Sequence, residues 1–547
     1  MGEMPFDGLN RSYNGYAIDG DSIYCAGHAP LADGRIFFTG GSRYAYMSQP
    51  YEHEWGLNYS RIFDPVSRTF ESTKSRATEE HWRMPFDTAW YPTTSLQPDG
   101  KVLVAGGFSA YGTDSCVGAQ CANPQVAMFD PKLYDSGLNP WTLLINKTHA
   151  DHAMDPGIRE YTRLFVLPKP FVADGYMRQV LAMGKAGVVV LINTDKDTPV
   201  GKRLYKPPGG KRPGSDCGDA SDQSTALPLL TNQYDAELLV VGGCSGATLQ
   251  MIDVYSVSDD QWRSFDTGVF RAVPASILLP DGRVLLVSGE NLQNSQQEHL
   301  TTDESNDPRY PQIFDPETRT LMTEYPSNGR DSFRGYHNMA ALLKDGTVLV
   351  GGGFNWRGDV GCENPTLRVF YPSYLAQGAR PTLVEAANNV SSAPLILQAG
   401  ATLTLRFSGA RLHPTKGAAL LAVQAFTHSY CQNQRYIRLH ATTLASSSVT
   451  LEIPAVPIVI PGQHFLFLLS EDGVPSIGRH VEVVEVLAAP ATVAPAAVSS
   501  ASVTLPIALV AAVGAIGLFF VIAAWIFALR SRHAAATQYP GEHTVRL

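Results

Sequence analysis

Between residues 21 and 375 the apolar residues come in short runs, each entered through a polar turn and left through glycines. Leu-Ala-Asp33-Gly-Arg-Ile-Phe-Phe-Thr-Gly-Gly and Gln-Pro-Asp99-Gly-Lys-Val-Leu-Val-Ala-Gly-Gly show the pattern first. It returns as Leu-Pro-Asp281-Gly-Arg-Val-Leu-Leu-Val-Ser-Gly and Leu-Lys-Asp345-Gly-Thr-Val-Leu-Val-Gly-Gly-Gly, with weaker copies around Asp174 and Asp235. Asp-Gly between apolar runs predicts a two-residue hairpin turn with positive φ at both central positions. A companion pattern, Ile-Phe-Asp-Pro-x-x-Arg-Thr, occupies 62–69 and 313–320. Four-stranded units repeated at this spacing predict the blades of a β-propeller. Six units are visible, and they are of the kelch kind.

The pattern changes after residue 375. Residues 380–487 read as a separate immunoglobulin-like β-sandwich, with short alternating strands such as Thr402-Leu-Thr-Leu-Arg-Phe and Val449-Thr-Leu-Glu-Ile. Residues 488–503 are rich in Ala, Pro, Ser and Thr and read as a stalk. Ile507 to Leu529 is an uncharged apolar run, long enough to cross a bilayer as one helix. Arg530, Arg532 and His533 follow it, so 530–547 is expected in the cytosol and the large N-terminal part outside or in a lumen. The expected product is a single-pass type I membrane protein.

Composition adds limits. Forty-eight Gly, 37 Pro and 23 each of Tyr and Phe favour strands and turns over long helices. A net charge of -9 with no basic stripe argues against a nucleic-acid partner. Export predicts glycosylation and paired cysteines. Sequons stand at Asn10, Asn58, Asn146 and Asn389. The seven cysteines are Cys25, Cys116, Cys121, Cys217, Cys244, Cys362 and Cys431, an odd count that leaves one sulfur for something other than a disulfide. Cys116 and Cys121 form the most local candidate bridge.

Register singles out the candidate chemistry. Cys25 lies eight residues before Asp33, Tyr91 eight before Asp99, and Tyr336-His337 nine and eight before Asp345. Equivalent positions in different blades point to one end of the central axis, so a thiol, two phenols and an imidazole converge there. The blade before Asp281 carries Val273 at eight residues back, followed by Pro274, so the propeller itself does not demand such residues. Taken singly, each has a plainer reading: a small buried hydrophobe for Cys25, packing for the tyrosines, a surface loop for His428. His28 forms a Cys-x-x-His spacing with Cys25, but no second pair stands at zinc spacing, which leaves it a supporting role at most.

Tyr24-Cys25-Ala-Gly, Trp90-Tyr91-Pro-Thr and Arg334-Gly-Tyr336-His337 resemble the copper-radical oxidases, the glyoxal and galactose oxidase family, in order and in blade. Val369-Phe-Tyr-Pro-Ser-Tyr-Leu375, Thr427-His428-Ser429 with Gln434-Arg435, and Gly473-Val474-Pro475-Ser476 extend the resemblance over roughly 20–487. It implies one copper ion held by His337, His428, Tyr91 and Tyr336, and a Cys25–Tyr91 thioether carrying a tyrosyl radical. It further implies oxidation of small aldehydes, as hydrates, or of primary alcohols, with O2 going to hydrogen peroxide. A catalytically silent kelch ectodomain for adhesion or carbohydrate binding is the alternative. With Cys25 so committed, the other cysteines can pair as Cys116–Cys121, Cys217–Cys244 and Cys362–Cys431.

Trp90 is a neighbour of the radical ring if the strand does not turn it away, since side chains alternate along a strand. Phe108 stands where galactose-active members carry Trp after the glycines of the Tyr91 blade, which leans toward small aldehydes. The family has seven blades, and Met1 to Gly20 holds Glu3, Asp7, Arg11 and Asp19 without an apolar run. The expectation is therefore that an export signal and most of one blade lie upstream of Met1.

Overall fold

A computed structural model describes residues 12–13, 16–17, 21–44, 54–72, 82–85, 88–108, 122–123, 125–145, 161–169, 179–184, 189–194, 202–205, 224–230, 234–242, 251–289, 307–327, 329–332, 334–353, 364, 366–384 and 395–485. The repeated turns share one construction, and it differs from the expected two-residue hairpin. Gly34 N donates to Leu31 O at 3.1 Å while Leu31 N donates to Arg35 O at 2.7 Å, enclosing a three-residue loop. Only the glycine is left-handed: Gly34, Gly100, Gly282 and Gly346 have φ of 90°, 82°, 89° and 85°. The preceding Asp stays out of that region and accepts a hydrogen bond from the backbone two residues on. Asp33, Asp99, Asp281 and Asp345 do so from Arg35, Lys101, Arg283 and Thr347 at 3.0, 3.2, 3.1 and 3.0 Å. Asp-Gly is selected here by an Asx bond followed by a left-handed glycine. The companion pattern behaves alike, with Asp64 and Asp315 accepting from Val66 N and Glu317 N before a left-handed Arg68 and Arg319.

These turns join six sheets of antiparallel meanders among the described residues. The first sheet runs Asp21–Pro30, Ile36–Tyr44, Ser60–Asp64 and Thr69–Ser72, with Glu54–Gly56 as an extra strand on Ile36–Tyr44. The next four open with Thr93–Leu96, Arg163–Val166, Ser224–Ala226 and Ala275–Leu278, each four-stranded. The sixth has three strands, Asn338–Leu342, Val348–Gly352 and Leu367–Phe370. Strands such as Val102–Ala105, Val189–Asn193 and Val284–Val287 are buried along their whole length, because each blade is covered on both faces by its neighbours.

Two further sheets follow. Thr382–Val384, Thr402–Ser408, Ser448–Glu452 and His440–Leu444 form one, and Tyr436–Arg438, Ala418–Ala422, Gly462–Leu468, Arg479–Val484 and Leu395–Gln398 form the other. Leu397, Phe407, Leu420, Val449, Leu451, Leu466 and Val481 fill the layer between them. The second sheet gains a sixth strand from the propeller, Pro228–Leu229, parallel to Tyr436–Arg438. Residues up to 486 accordingly form one compact unit. Stalk, apolar run 507–529 and tail lie outside the described residues. Among the described residues no helix is long and apolar enough to cross a membrane.

Candidate active site

In five of the six sheets the first strand carries, within it or just before it, the same unusual backbone. Cys25, Tyr91, Tyr161, Val273 and His337 all have positive φ, of 58°, 59°, 39°, 53° and 66°. Non-glycine residues rarely adopt this region, and a β-branched valine least of all. The conformation belongs to the blade register, and at four of the five positions it carries a reactive side chain. Backbone bonds lace the register together: Tyr91 N donates to Cys25 O at 3.0 Å, and Tyr161 N to Tyr91 O at 2.9 Å. Gly107, just past the next strand of the Tyr91 blade, Val102–Ala105, makes room for this. A Cβ there would stand 2.7 Å from Trp90 O and 2.9 Å from Pro92 N.

The fourth expected residue arrives from the sandwich. The segment between Ala418–Ala422 and Tyr436–Arg438 enters the propeller axis and bonds to five of the six sheets. Gln432 Oε1 accepts from His28 N at 3.2 Å and from Thr94 N and Oγ1 at 3.0 and 2.8 Å. Gln434 takes Leu278 N at 2.7 Å and donates to Ser276 O at 2.8 Å, while Gln424 accepts from Leu342 N at 2.8 Å. Arg435 donates to Val166 O. Gln434 and Arg435 are thus pins for this insert. At its tip His428 and Ser429 are both left-handed, and Ser429 Oγ donates to Val273 O at 3.1 Å and accepts from Asn338 Nδ2 at 3.0 Å.

His428 thereby joins the three blade residues. Its ring centroid lies 4.5 Å from that of His337 and 5.1 Å from those of both Tyr91 and Tyr336. The Tyr91 and Tyr336 hydroxyls hydrogen-bond to each other. His428 Nδ1 contacts Thr427 Oγ1 at 2.7 Å, and its Nε2 stands 3.7 Å from Cys25 Sγ. Cys25 packs with Trp90, Phe108, Ala122 and the Tyr91 ring. Burial above all, then the Cys25 sulfur and Tyr336, drives the Tyr91 phenol far above its ordinary pKa. Burial also pushes the His428 imidazole well below its ordinary range, with His337 adding to the effect. Both groups are therefore neutral in the absence of a cation.

Supporting residues fall out unevenly. Trp90 faces Tyr91 after all, ring centroids 4.1 Å apart, because the left-handed Tyr91 breaks the strand alternation that would have turned it away. Phe108 bridges Trp90 through paired backbone bonds of 2.7 and 2.8 Å, one step behind it. His28 stacks on Phe38 within its own blade at 5.4 Å, and burial lowers it to about 4. Tyr161 escaped the sequence reading. It is fully buried, 5.0 Å from Tyr91 and 4.9 Å from His428 by ring centroids. Its register shows two residues before its strand, as for Tyr91, but not when counted back from Asp174.

Cysteine pairing departs from expectation at one position. Cys431 is buried with a free thiol, pushed up to about 12 by that burial, so the expected Cys362–Cys431 bridge is not formed. Its place in the axial insert, behind Phe426, keeps it inside the propeller. Cys116, Cys121, Cys217, Cys244 and Cys362 lie outside the described residues, as do Asn10, Asn146 and Asn389. Asn58 is half-buried.

Comparisons with known proteins agree with this arrangement. Residues 380–483 match the galactose oxidase-like Early set domain, and 97–124 match a β-propeller domain of unknown function, DUF5122. Galactose oxidase of Gibberella zeae is 27% identical over 220 residues, 39% of this chain and 30% of that protein. Aldehyde oxidase GLOX1 of Arabidopsis thaliana is 25% identical across 72% of this chain and 63% of its own length. Aldehyde oxidase GLOX of Vitis pseudoreticulata is 23% identical across 72% of each. A solved fungal alcohol oxidase of the AA5 family, in complex with copper, superposes with a TM-score of 0.60 at 20% identity, covering 85% of this chain and 86% of that one. The fold is that of a propeller oxidase with its sandwich. The galactose oxidase-like domain match and these relatives support the copper-radical oxidase family that the chain's motifs resemble.

Proposed function

We propose that this chain oxidises small aldehydes, as their hydrates, or primary alcohols, passing the electrons to O2. The observation that carries this reading is the convergence of Tyr91, Tyr336, His337 and His428 on one spot, with Cys25 against the Tyr91 ring. Two imidazoles and two phenols form the nitrogen and oxygen donor set that suits copper(II). Among the described residues no group of three or more His, Cys, Asp or Glu forms a metal cluster, so the tyrosines are needed to complete this one. His428 is neutral and its Nδ1 is engaged by Thr427, which leaves Nε2 for a metal. Bound copper would supply a Lewis-acid position for the substrate oxygen and one of the two oxidising equivalents.

The protein's own groups supply the rest. Tyr336, hydrogen-bonded to Tyr91, would take the proton of the substrate hydroxyl as the phenolate that bound copper would favour. Tyr91, in its one-electron oxidised form, takes a hydrogen atom from the adjacent carbon. A sulfur on its ring lowers the potential at which that form is reached. Joining Cys25 Sγ to a Tyr91 ring carbon removes the thiol hydrogen and one ring hydrogen, and O2 takes both to become hydrogen peroxide. Turnover likewise balances: a primary alcohol and O2 give aldehyde and peroxide, and an aldehyde hydrate and O2 give acid and peroxide. Phe108 behind Trp90 in place of a second indole favours the small aldehydes over sugars. The run at 507–529 with Arg530 and Arg532 supports a membrane anchor holding this site outside the cytosol. Copper loading followed by a peroxide assay across simple alcohols, aldehydes and galactose tests the proposal. Turnover of small aldehydes is expected, and a copper-loaded protein inert to every substrate would refute it.

A further inference from the structure

Away from the Tyr91–His428 centre, the last propeller turn and the sandwich enclose a cleft of about 450 Å³, the size range of small-molecule sites. Lys344, Arg380, Arg479 and His480 line it. Lys344 immediately precedes the Asp345–Gly346 turn, Arg380 leads into Thr382–Val384, and Arg479 and His480 open Arg479–Val484. Gly478 N donates to Lys344 O at 2.6 Å, which fixes turn and strand to each other. Apolar side chains line it as well: Leu383, Phe465 beside His480, and Ile477, the last about half exposed at 49%.

A chain of net charge -9 gathers three cations and an imidazole in one cleft. Asp345 and Glu482 act on this lining. Asp345 accepts from Thr347 N and Oγ1 at 3.0 and 2.6 Å and feels Arg380 only through space. Glu482 acts on His480 from two residues along the same strand. Cationic groups interleaved with partly exposed apolar side chains match a ligand with an anionic head and a hydrocarbon body, since the head leaves water only against a cation and the body gains by leaving it.

We propose that this cleft binds an amphipathic organic anion, a carboxylate or phosphate monoester on an apolar body, independently of the oxidase centre. Titration calorimetry of the full chain with octanoate, octyl phosphate and 1-octanol tests it. At least one anion is expected to bind in a one-to-one ratio and more tightly than octanol, by about tenfold or more. The preferred head group distinguishes a free carboxylic acid from a phosphate ester or lipid headgroup. K344Q/R380Q should weaken the anion about tenfold while leaving octanol and peroxide production unchanged. I477D should weaken it too, by placing a like charge at the mouth, and thermal melts confirm that both variants fold. Equal affinity for octanol and the anions, no binding at all, or wild-type affinity in K344Q/R380Q would overturn the proposal.

Discussion

Thr427 contributes no donor to the candidate metal position, yet its hydroxyl sits 2.7 Å from His428 Nδ1 and so determines which imidazole nitrogen faces Cys25. Loss of such an outer partner costs about 10- to 100-fold in metal affinity in comparable sites. Thr427→Val should therefore weaken copper(II) binding by that factor in a competition titration and leave the apo melting temperature nearly unchanged. Unaltered affinity would show that His428 is oriented by the backbone alone. His464 offers a second residue-scale test, away from the site. It is 2% exposed, its Nδ1 faces Gly462 O at 3.0 Å, and burial lowers it to about 4. A histidine with a depressed folded pKa takes up its proton first in the unfolded chain, so stability falls as pH drops from 6.5 toward 4. The loss approaches roughly 3 kcal/mol at the lower end. His464→Gln should flatten that segment of a urea-monitored pH profile, and an unchanged slope would rule His464 out as its source.

At the scale of the strand and turn, two glycines with nearly equal φ should behave differently. Gly107, at φ 81°, would set a Cβ 2.7 Å from Trp90 O, whereas Gly100, at φ 82°, has nothing within 4 Å. Gly100→Ala should cost about 1–2 kcal/mol, the left-handed penalty alone. Gly107→Ala should cost clearly more, as it forces apart the strands that hold Trp90 and Tyr91, and should lower activity with stability. Equal costs in chemical denaturation would contradict this packing. Much of this level was legible in the sequence. Asp-Gly spacing marked the turns, and counting back from it brought Cys25, Tyr91 and His337 to one register. What failed was local. The turn geometry was misjudged because Asp bonds forward through its side chain while only Gly turns left-handed. Trp90 was left open and Tyr161 missed because the left-handed residue at five of the six described first strands resets strand alternation, and no spacing rule announces it.

Across the whole molecule, the site exists only because sandwich and propeller interpenetrate. Three residues come from two blades on the repeat register, and the fourth rides on an insert pinned by Gln424, Gln432, Gln434 and Arg435 to five sheets. His428 could be picked from sequence only through its resemblance to a known loop, since nothing in the periodicity of residues 418–438 aims it at the axis. Cys431 on the same insert shows the limit of cysteine parity: an even remainder predicted a bridge, but burial in the insert holds that thiol free. The central claim is that this assembly places Cys25 against Tyr91 to make a thioether radical site. Peptide mapping by mass spectrometry, after copper and O2 treatment of the full chain, tests it most directly. One peptide pair joined through Cys25 and Tyr91 is expected, lighter by two hydrogens than the sum of its parts, and absent in Cys25→Ser. An active, copper-loaded protein in which Cys25 and Tyr91 are recovered on separate, unmodified peptides would contradict it.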